Sequence, residues 1–78
     1  MPVFLDSHDL KGADEAALRQ LQEAPRDEFG VLHKNILFNR AEDKGWCLLD
    51  APSKEAVEKH HAKLGYTCNW ITEVETTA

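Results

Sequence analysis

The sequence predicts an α+β fold of the ferredoxin-like type, a β-α-β-β-α-β sandwich with a four-stranded antiparallel sheet and two helices on one face. Four segments alternate apolar and polar residues in the manner of strands, and two others repeat apolar residues with the period of a helix. Right-handed connections then favour the strand order 4-1-3-2. Residues 1–78 are interpreted as one domain, in which residues 75–78 form a frayed polar tail.

The first half of the chain contains one strand and one helix before its central hairpin. Residues 2–8 form the first strand, with Asp6 and His8 on one face and Val3 and Leu5 on the other. Residues 14–24 carry the first helix, with acidic residues in its first turn. Pro25 breaks or kinks that helix, although residues 26–29 could add one further turn.

The second half begins with a hairpin. Residues 31–40 form a strand, residues 41–45 a polar loop and residues 46–49 a short apolar strand. Ser53 caps the second helix, which ends at Gly65, and residues 66–74 form the last strand. The buried stripe of this helix is predicted to contain Val57, His61 and Leu64, with His60 at its margin.

Composition excludes several classes of protein. A net charge of −5 argues against nucleic-acid binding, since phosphates would be repelled. The sequence has no apolar run near the roughly 20 residues needed to span a bilayer and no basic segment followed by an apolar one at its start. We therefore expect a cytoplasmic protein with free thiols that uses neither a membrane nor nucleic acid as a partner.

The small size of the chain predicts self-association. A domain of 78 residues buries a limited core, and such domains often recruit a partner subunit or a metal. The sheet face without helices still carries apolar side chains. We expect a homodimer that packs sheet against sheet or edge to edge.

The predicted topology brings four possible metal ligands to one end of the sheet. Asp6 and His8 end the first strand, Cys47 begins the neighbouring third strand, and His61 lies in the last turn of the second helix. A thiolate, imidazoles and a carboxylate form a set of donors suited to Ni(II), Cu(II), Zn(II) or Co(II). We predict a divalent transition-metal site at these four residues.

The same predicted topology argues against two other pairings, a metal shared by His33 and Cys47 and a disulfide between Cys47 and Cys68. With Arg40 opposite Trp46, His33 would lie roughly 20 Å from Cys47, too far to share an ion. Cys47 and Cys68 would be separated by two strand spacings, about 9–10 Å, which exceeds the range of a disulfide.

Other interpretations of these residues remain open. Taken singly, Cys47 and His61 are each more typical of core positions, where the side chain would only pack. A dimeric enzyme is an alternative, with a pocket lined by His8, Cys47 and His61 that acts by acid/base or thiol chemistry. A structural or interaction module has no positive evidence in the sequence.

Several segments resemble a family of small bacterial proteins of unknown function that includes nickel-binding, nickel-responsive proteins. The similarity extends over nearly the whole chain and is carried by MPVFLDSHDLKG with Asp6 and His8, Trp46–Leu48, APSKEA at 51–56, His61, Gly65, and Trp70–Val74. The resemblance implies a ferredoxin-like homodimer that binds nickel or a related divalent metal. It also implies that His61, rather than His60, is the matching helix histidine, while Pro25 departs from the family pattern.

Overall fold

The computed structural model describes residues 1–77 and contains the predicted elements in the predicted order. They are β1 (Val3–Asp9), α1 (Glu15–Glu23), β2 (Leu32–Asn39), β3 (Lys44–Asp50), α2 (Lys54–Leu64) and β4 (Trp70–Val74). The four strands form one antiparallel sheet in the order β2-β3-β1-β4, which is the predicted order counted from the opposite edge. Residues 75–77 follow the last strand, and Ala78, the end of the predicted tail, lies outside the described residues.

Both helices begin at side-chain caps. Asp14 accepts a hydrogen bond from the Ala17 amide at 2.9 Å, and Ser53 accepts one from the Ala56 amide at 3.1 Å. These contacts satisfy amides that lack a partner in the first helical turn. The second helix ends at Gly65 in the left-handed region with φ 86°, as its sequence predicts.

The chain after α1 adds no further helical turn. The helix ends at Glu23, and the segment that follows Pro25 turns around the side chain of Asp27. The Asp27 carboxylate accepts hydrogen bonds from the amides of Phe29 at 2.9 Å and Val31 at 3.0 Å. This turn, rather than a helix, directs the chain into β2.

The core lies between the helices and one face of the sheet. Phe4 of β1, Leu49 of β3, Val57 of α2 and Ile71 of β4 are all buried in a single cluster. Because side chains alternate along a strand, Asp6 and His8 point to the same covered face as Phe4. Polar donors are thus placed inside the protein, beneath both helices.

The opposite face of the sheet is open and partly apolar. Strand pairing places Leu37, Trp46, Ser7 and Trp70 in one row across all four strands. Leu37 and Trp70, at the two ends of the row, are 48% and 46% exposed. None of the helices within residues 1–77 is long and apolar enough to cross a membrane.

The register of the β2–β3 hairpin differs from the prediction by three residues. Trp46 lies opposite Leu37 rather than Arg40, and Cys47 lies opposite Ile36. The loop closes earlier than predicted because the Asn39 side chain accepts a hydrogen bond from the Glu42 amide at 3.1 Å. Residues 44 and 45 consequently belong to β3 instead of the loop.

This register overturns the prediction that His33 is remote from Cys47. His33 lies opposite Leu49, two residues along β3 from Cys47 and on the same face, next to a bulge in β2. The estimate of 20 Å was therefore wrong, because it depended on the hairpin closing three residues later.

Two side chains of α2 also differ from their predicted environment. His60 was expected at the margin of the buried stripe but is buried, because the Asp27 turn packs against that side of the helix. Leu64 was expected to be buried but is 39% exposed, since the chain leaves the helix immediately afterwards. The last strand starts at Trp70 instead of Tyr66.

Candidate metal centre

The four predicted ligands meet in the interior of the protein. Asp6 and Cys47 are directly opposed in the middle of β1 and β3, and His8 lies two residues along β1 on the same face. His61 reaches them from α2. One ligand atom from each residue can be chosen so that all four atoms lie within 4.8 Å of one another. The cluster therefore lies under the helices, not at the end of the sheet as predicted.

Backbone carbonyls fix the orientation of both imidazoles. Nδ1 of His8 donates to the carbonyl of Asp9 at 2.9 Å, and Nδ1 of His61 donates to the carbonyl of Val57 at 2.9 Å. A carbonyl can only accept, so each Nδ1 carries the proton and each neutral ring keeps a lone pair on Nε2. Both lone pairs face the cluster, which is the arrangement found in metal-binding histidines.

The carboxyl group of Asp6 is buried without a well-placed hydrogen-bond donor among the described residues. Its side chain is fully buried, and neither oxygen has a hydrogen-bond partner with good geometry among residues 1–77. Nε2 of His61 lies 3.3 Å from Oδ2 of Asp6. Burial raises the pKa of Asp6 to about 7 and lowers the pKa of His61 to about 4. An ionised Asp6 would thus face a lone pair, so the site requires either a proton or a metal cation between these atoms.

Cys47 provides the sulfur donor of the cluster. Its Sγ lies 3.4 Å from Nε2 of His8, which is suitable for a weak hydrogen bond from the thiol to the ring. Burial, followed by the charge of Asp6, raises the pKa of Cys47. The thiol therefore keeps its proton in the metal-free protein, since no cation stabilises the thiolate. Both Cys47 and Cys68 are free cysteines.

The donors fit a late first-row transition metal. Two imidazoles, one thiol and one carboxyl group offer four ligands of mixed softness, which suits nickel, cobalt, zinc or copper better than calcium or magnesium. The cavity beside the cluster has a volume of about 10 Å³, and its walls include His8, Cys47, His61, Leu64 and Tyr66. This space holds about one water molecule.

Three residues near the centre were missed by the sequence argument. His33 is another wall of the same cavity, and its ring centre lies 5.0 Å from that of His60. Burial, followed by the charge of His60, lowers the pKa of His33 to about 4. Nδ1 of His60 is 2.6 Å from Oδ2 of Asp27. The position of His33 depends on the register of the β2–β3 hairpin, and the burial of His60 depends on the turn around Asp27. Neither feature has a periodic pattern in the sequence that would predict it.

Comparisons with known proteins agree with this chemistry. The model of the family described as "Nickel responsive protein SCO4226-like" matches residues 2–74. The chain belongs to this family. A solved structure, the crystal structure of SCO4226 from Streptomyces coelicolor A3(2), is similar at a TM-score of 0.77 with 28% sequence identity. The similarity covers 97% of this chain and 99% of that chain. No curated protein matches this sequence.

The family match supports the resemblance drawn from the sequence. Its range contains all four members of the Asp6–His8–Cys47–His61 cluster and both helices. The similar structure agrees with the ferredoxin-like arrangement of the strands and helices. Membership in the SCO4226-like family and a buried set of metal donors are thus two independent observations that point to metal chemistry.

Proposed function

We propose that this protein binds a divalent transition metal, nickel in the first instance, through Asp6, His8, Cys47 and His61. The observation that carries the proposal is the convergence of four buried donor atoms within 4.8 Å, with the lone pair of His61 facing the carboxyl group of Asp6. Such a set is costly to bury without a cation or protons to separate its lone pairs. A purely structural core would not require it.

Metal uptake would displace protons from the cluster. In the metal-free protein the protonated Asp6 can donate to Nε2 of His61, and the Cys47 thiol can donate to Nε2 of His8. A bound cation would take the place of both protons and accept all four donors, because only deprotonated thiolates and carboxylates bind metal strongly. Affinity is therefore expected to rise with pH.

The family description favours nickel as the ion, and we propose a role in metal response or sequestration. The family is described as nickel responsive, and a thiolate with imidazoles is compatible with nickel. The donors are enclosed by protein, with His8 and Cys47 each 3% exposed. Such a site suits retention of an ion more than rapid turnover of a substrate.

A titration with matched cysteine variants tests the proposal. Tag-free protein, stripped with a chelator, is titrated with NiCl₂ by calorimetry and by the charge-transfer absorption between thiolate and nickel. Cys47→Ser is expected to remove the charge-transfer band and weaken binding at least 10-fold, whereas Cys68→Ser is expected to retain both. Equal binding by wild type and Cys47→Ser would refute the proposed site.

The alternative of an enzyme pocket has little support in the single chain. The cavity bounded by His8, Cys47 and His61 measures about 10 Å³. Pockets for organic substrates are typically about 300–1,000 Å³. The raised pKa of Cys47 also opposes its use as a thiolate nucleophile. Metal binding is the function that uses all four side chains.

We further propose that the protein is a cytoplasmic homodimer. The open face of the sheet carries Trp46 between the exposed side chains of Leu37 and Trp70, which a second copy would cover. A face-to-face pair would leave the metal centre, on the other side of each sheet, unobstructed. The free cysteines are compatible with the reducing cytoplasm. Cell fractionation would test this location.

A further inference from the structure

A second group of imidazoles lies beside the proposed centre and shares none of its ligands. We propose that His60 and His33 form an additional metal-binding site, for a divalent first-row transition ion that favours nitrogen ligands. The inference does not depend on the Asp6–His8–Cys47–His61 site, because the two sets of donors are separate. Neither residue was among the ligands expected from the sequence.

The orientation of His60 supports the proposal. The Asp27 carboxylate is held by the amides of Phe29 and Val31 and lies 2.6 Å from Nδ1 of His60. An ionised carboxylate can only accept hydrogen bonds, so Nδ1 of His60 is the donor of this contact. A carboxylate that accepts from one nitrogen of a histidine is the usual support for a metal bound to the other nitrogen.

That other nitrogen has no partner. His60 is 7% exposed, and its Nε2 is buried without a hydrogen-bond partner among residues 1–77. A buried polar atom left without a hydrogen-bond partner costs roughly 1–3 kcal/mol, so such an atom calls for a ligand. Each of His8 and His61 is supported in the same manner, with Nδ1 bonded to a fixed acceptor and Nε2 directed inward.

His33 supplies a second imidazole at a suitable separation. Its ring centre lies 5.0 Å from that of His60, close to the 5.1 Å between His8 and His61, whose nitrogens do converge. Two imidazoles on one tetrahedral ion, with metal–nitrogen bonds of about 2.0–2.1 Å, place their ring centres roughly 5 Å apart. Neither ring nitrogen of His33 forms a hydrogen bond within the described part of the chain.

The proposed ions differ in spectrum because only one site contains sulfur. We expect CoCl₂ titrated into metal-free protein to saturate the thiolate charge-transfer band at one equivalent. The visible d–d absorption should continue to grow until two equivalents are bound. His60→Asn keeps an amide to donate to Asp27 but lacks Nε2, and it should reduce the stoichiometry by one without changing the charge-transfer band. Lys59→Ala, on the adjacent exposed position of α2, is the control and should bind as wild type.

The outcomes separate this proposal from the previous one. Loss of one equivalent in His60→Asn supports the second site even if Cys47→Ser shows that the first site is absent. His33→Gln provides an independent variant, and circular dichroism verifies that each variant is folded. Saturation of all bands at one equivalent in wild type would overturn the proposal. A second equivalent that survives in both histidine variants would also overturn it, since the ion would then be bound to surface carboxylates.

Discussion

At the scale of single residues, the chemistry of the centre is set by how each donor is held. Val57 and Asp9 present carbonyls that fix the protonated nitrogen of His61 and His8, respectively. The free nitrogens then meet Asp6, whose burial raises its pKa to about 7. The stability of the metal-free protein should therefore depend on the protonation of this carboxyl group.

The substitution Asp6→Asn tests that dependence. A folded pKa of about 7 against an ordinary value of 3.8 means that the folded state binds the extra proton between those two values. The contribution of Asp6 to the free energy of unfolding is thus fully present below pH 3.8 and is lost as the pH rises through about 7. The loss is about 1.4 kcal/mol for each unit of pKa difference that the pH range covers.

Because Asn does not titrate, the variant should gain stability relative to wild type as pH increases from 5 to 8. Urea unfolding in the presence of a chelator measures both proteins at each pH. The pKa of His61 is lowered to about 4 by burial, so its titration lies below the pH range of this comparison. If the difference in free energy of unfolding between wild type and variant stays constant with pH, the pKa of Asp6 is not raised.

At the scale of elements, the position of His8 depends on the absence of a side chain in β3. Gly45 lies opposite His8, and a Cβ at this position would lie 3.0 Å from Cδ2 of Leu10 and 3.2 Å from Cε1 of His8. The early closure of the hairpin is what places this glycine within the strand. Strand pairing and ligand geometry are therefore coupled here.

The substitution Gly45→Ala should disturb that coupling. Overpacking at a buried site costs about 1–3 kcal/mol, and displacement of His8 should also weaken nickel binding. Gly12→Ala is a matched control, because its Cβ would meet nothing within 4 Å although φ is +75°. The control should lose stability through backbone strain and keep its affinity. Calorimetric titration and urea unfolding measure the two effects, and equal affinities in the two variants would argue against this role of Gly45.

The elements also show what the sequence can and cannot predict. Strand order followed from the order of β and α segments, since few connections of that pattern are feasible. The caps Ser53 and Gly65 were recognisable because local chemistry determines them. The hairpin register could not be recognised in this way, because the hydrogen bond that the Asn39 side chain accepts from the Glu42 amide decides where the loop closes. His60 was misplaced because its burial depends on Asp27, 33 residues earlier in the chain.

The candidate site was predictable for a related reason. Alternation along β1 fixes the face of Asp6 and His8, and helical spacing fixes the face of His61, so neither depends on an exact register. Cys47 shares the face of Asp6 because the two residues are paired across β1 and β3. The proximity of His33 depends on the register itself and could not be predicted.

At the scale of the whole molecule, the two faces of the sheet have different roles. The covered face holds the donors, while the open face presents Leu37 and Trp70 to solvent. A homodimer through the open face would bury these side chains without altering the ligands. Association and metal binding should therefore be separable by mutation.

Neighbouring residues on β2 test this separation. Leu37→Glu places a charge on the open face and should convert the proposed dimer to a monomer, as measured by light scattering coupled to size-exclusion chromatography. Phe38→Glu changes the adjacent residue, which is 37% exposed and points to the opposite face, and should leave the dimer intact. Equal molar masses for wild type and Leu37→Glu would argue against the open face as the interface.

The most direct test of the central claim is X-ray absorption at the nickel edge, on protein loaded with one equivalent of Ni(II). We expect one sulfur ligand at about 2.3 Å together with imidazole nitrogens, and we expect the sulfur to be lost in Cys47→Ser. Cys68→Ser should retain the wild-type spectrum. A nickel coordination shell of nitrogen and oxygen alone in the wild-type protein would contradict the proposed centre.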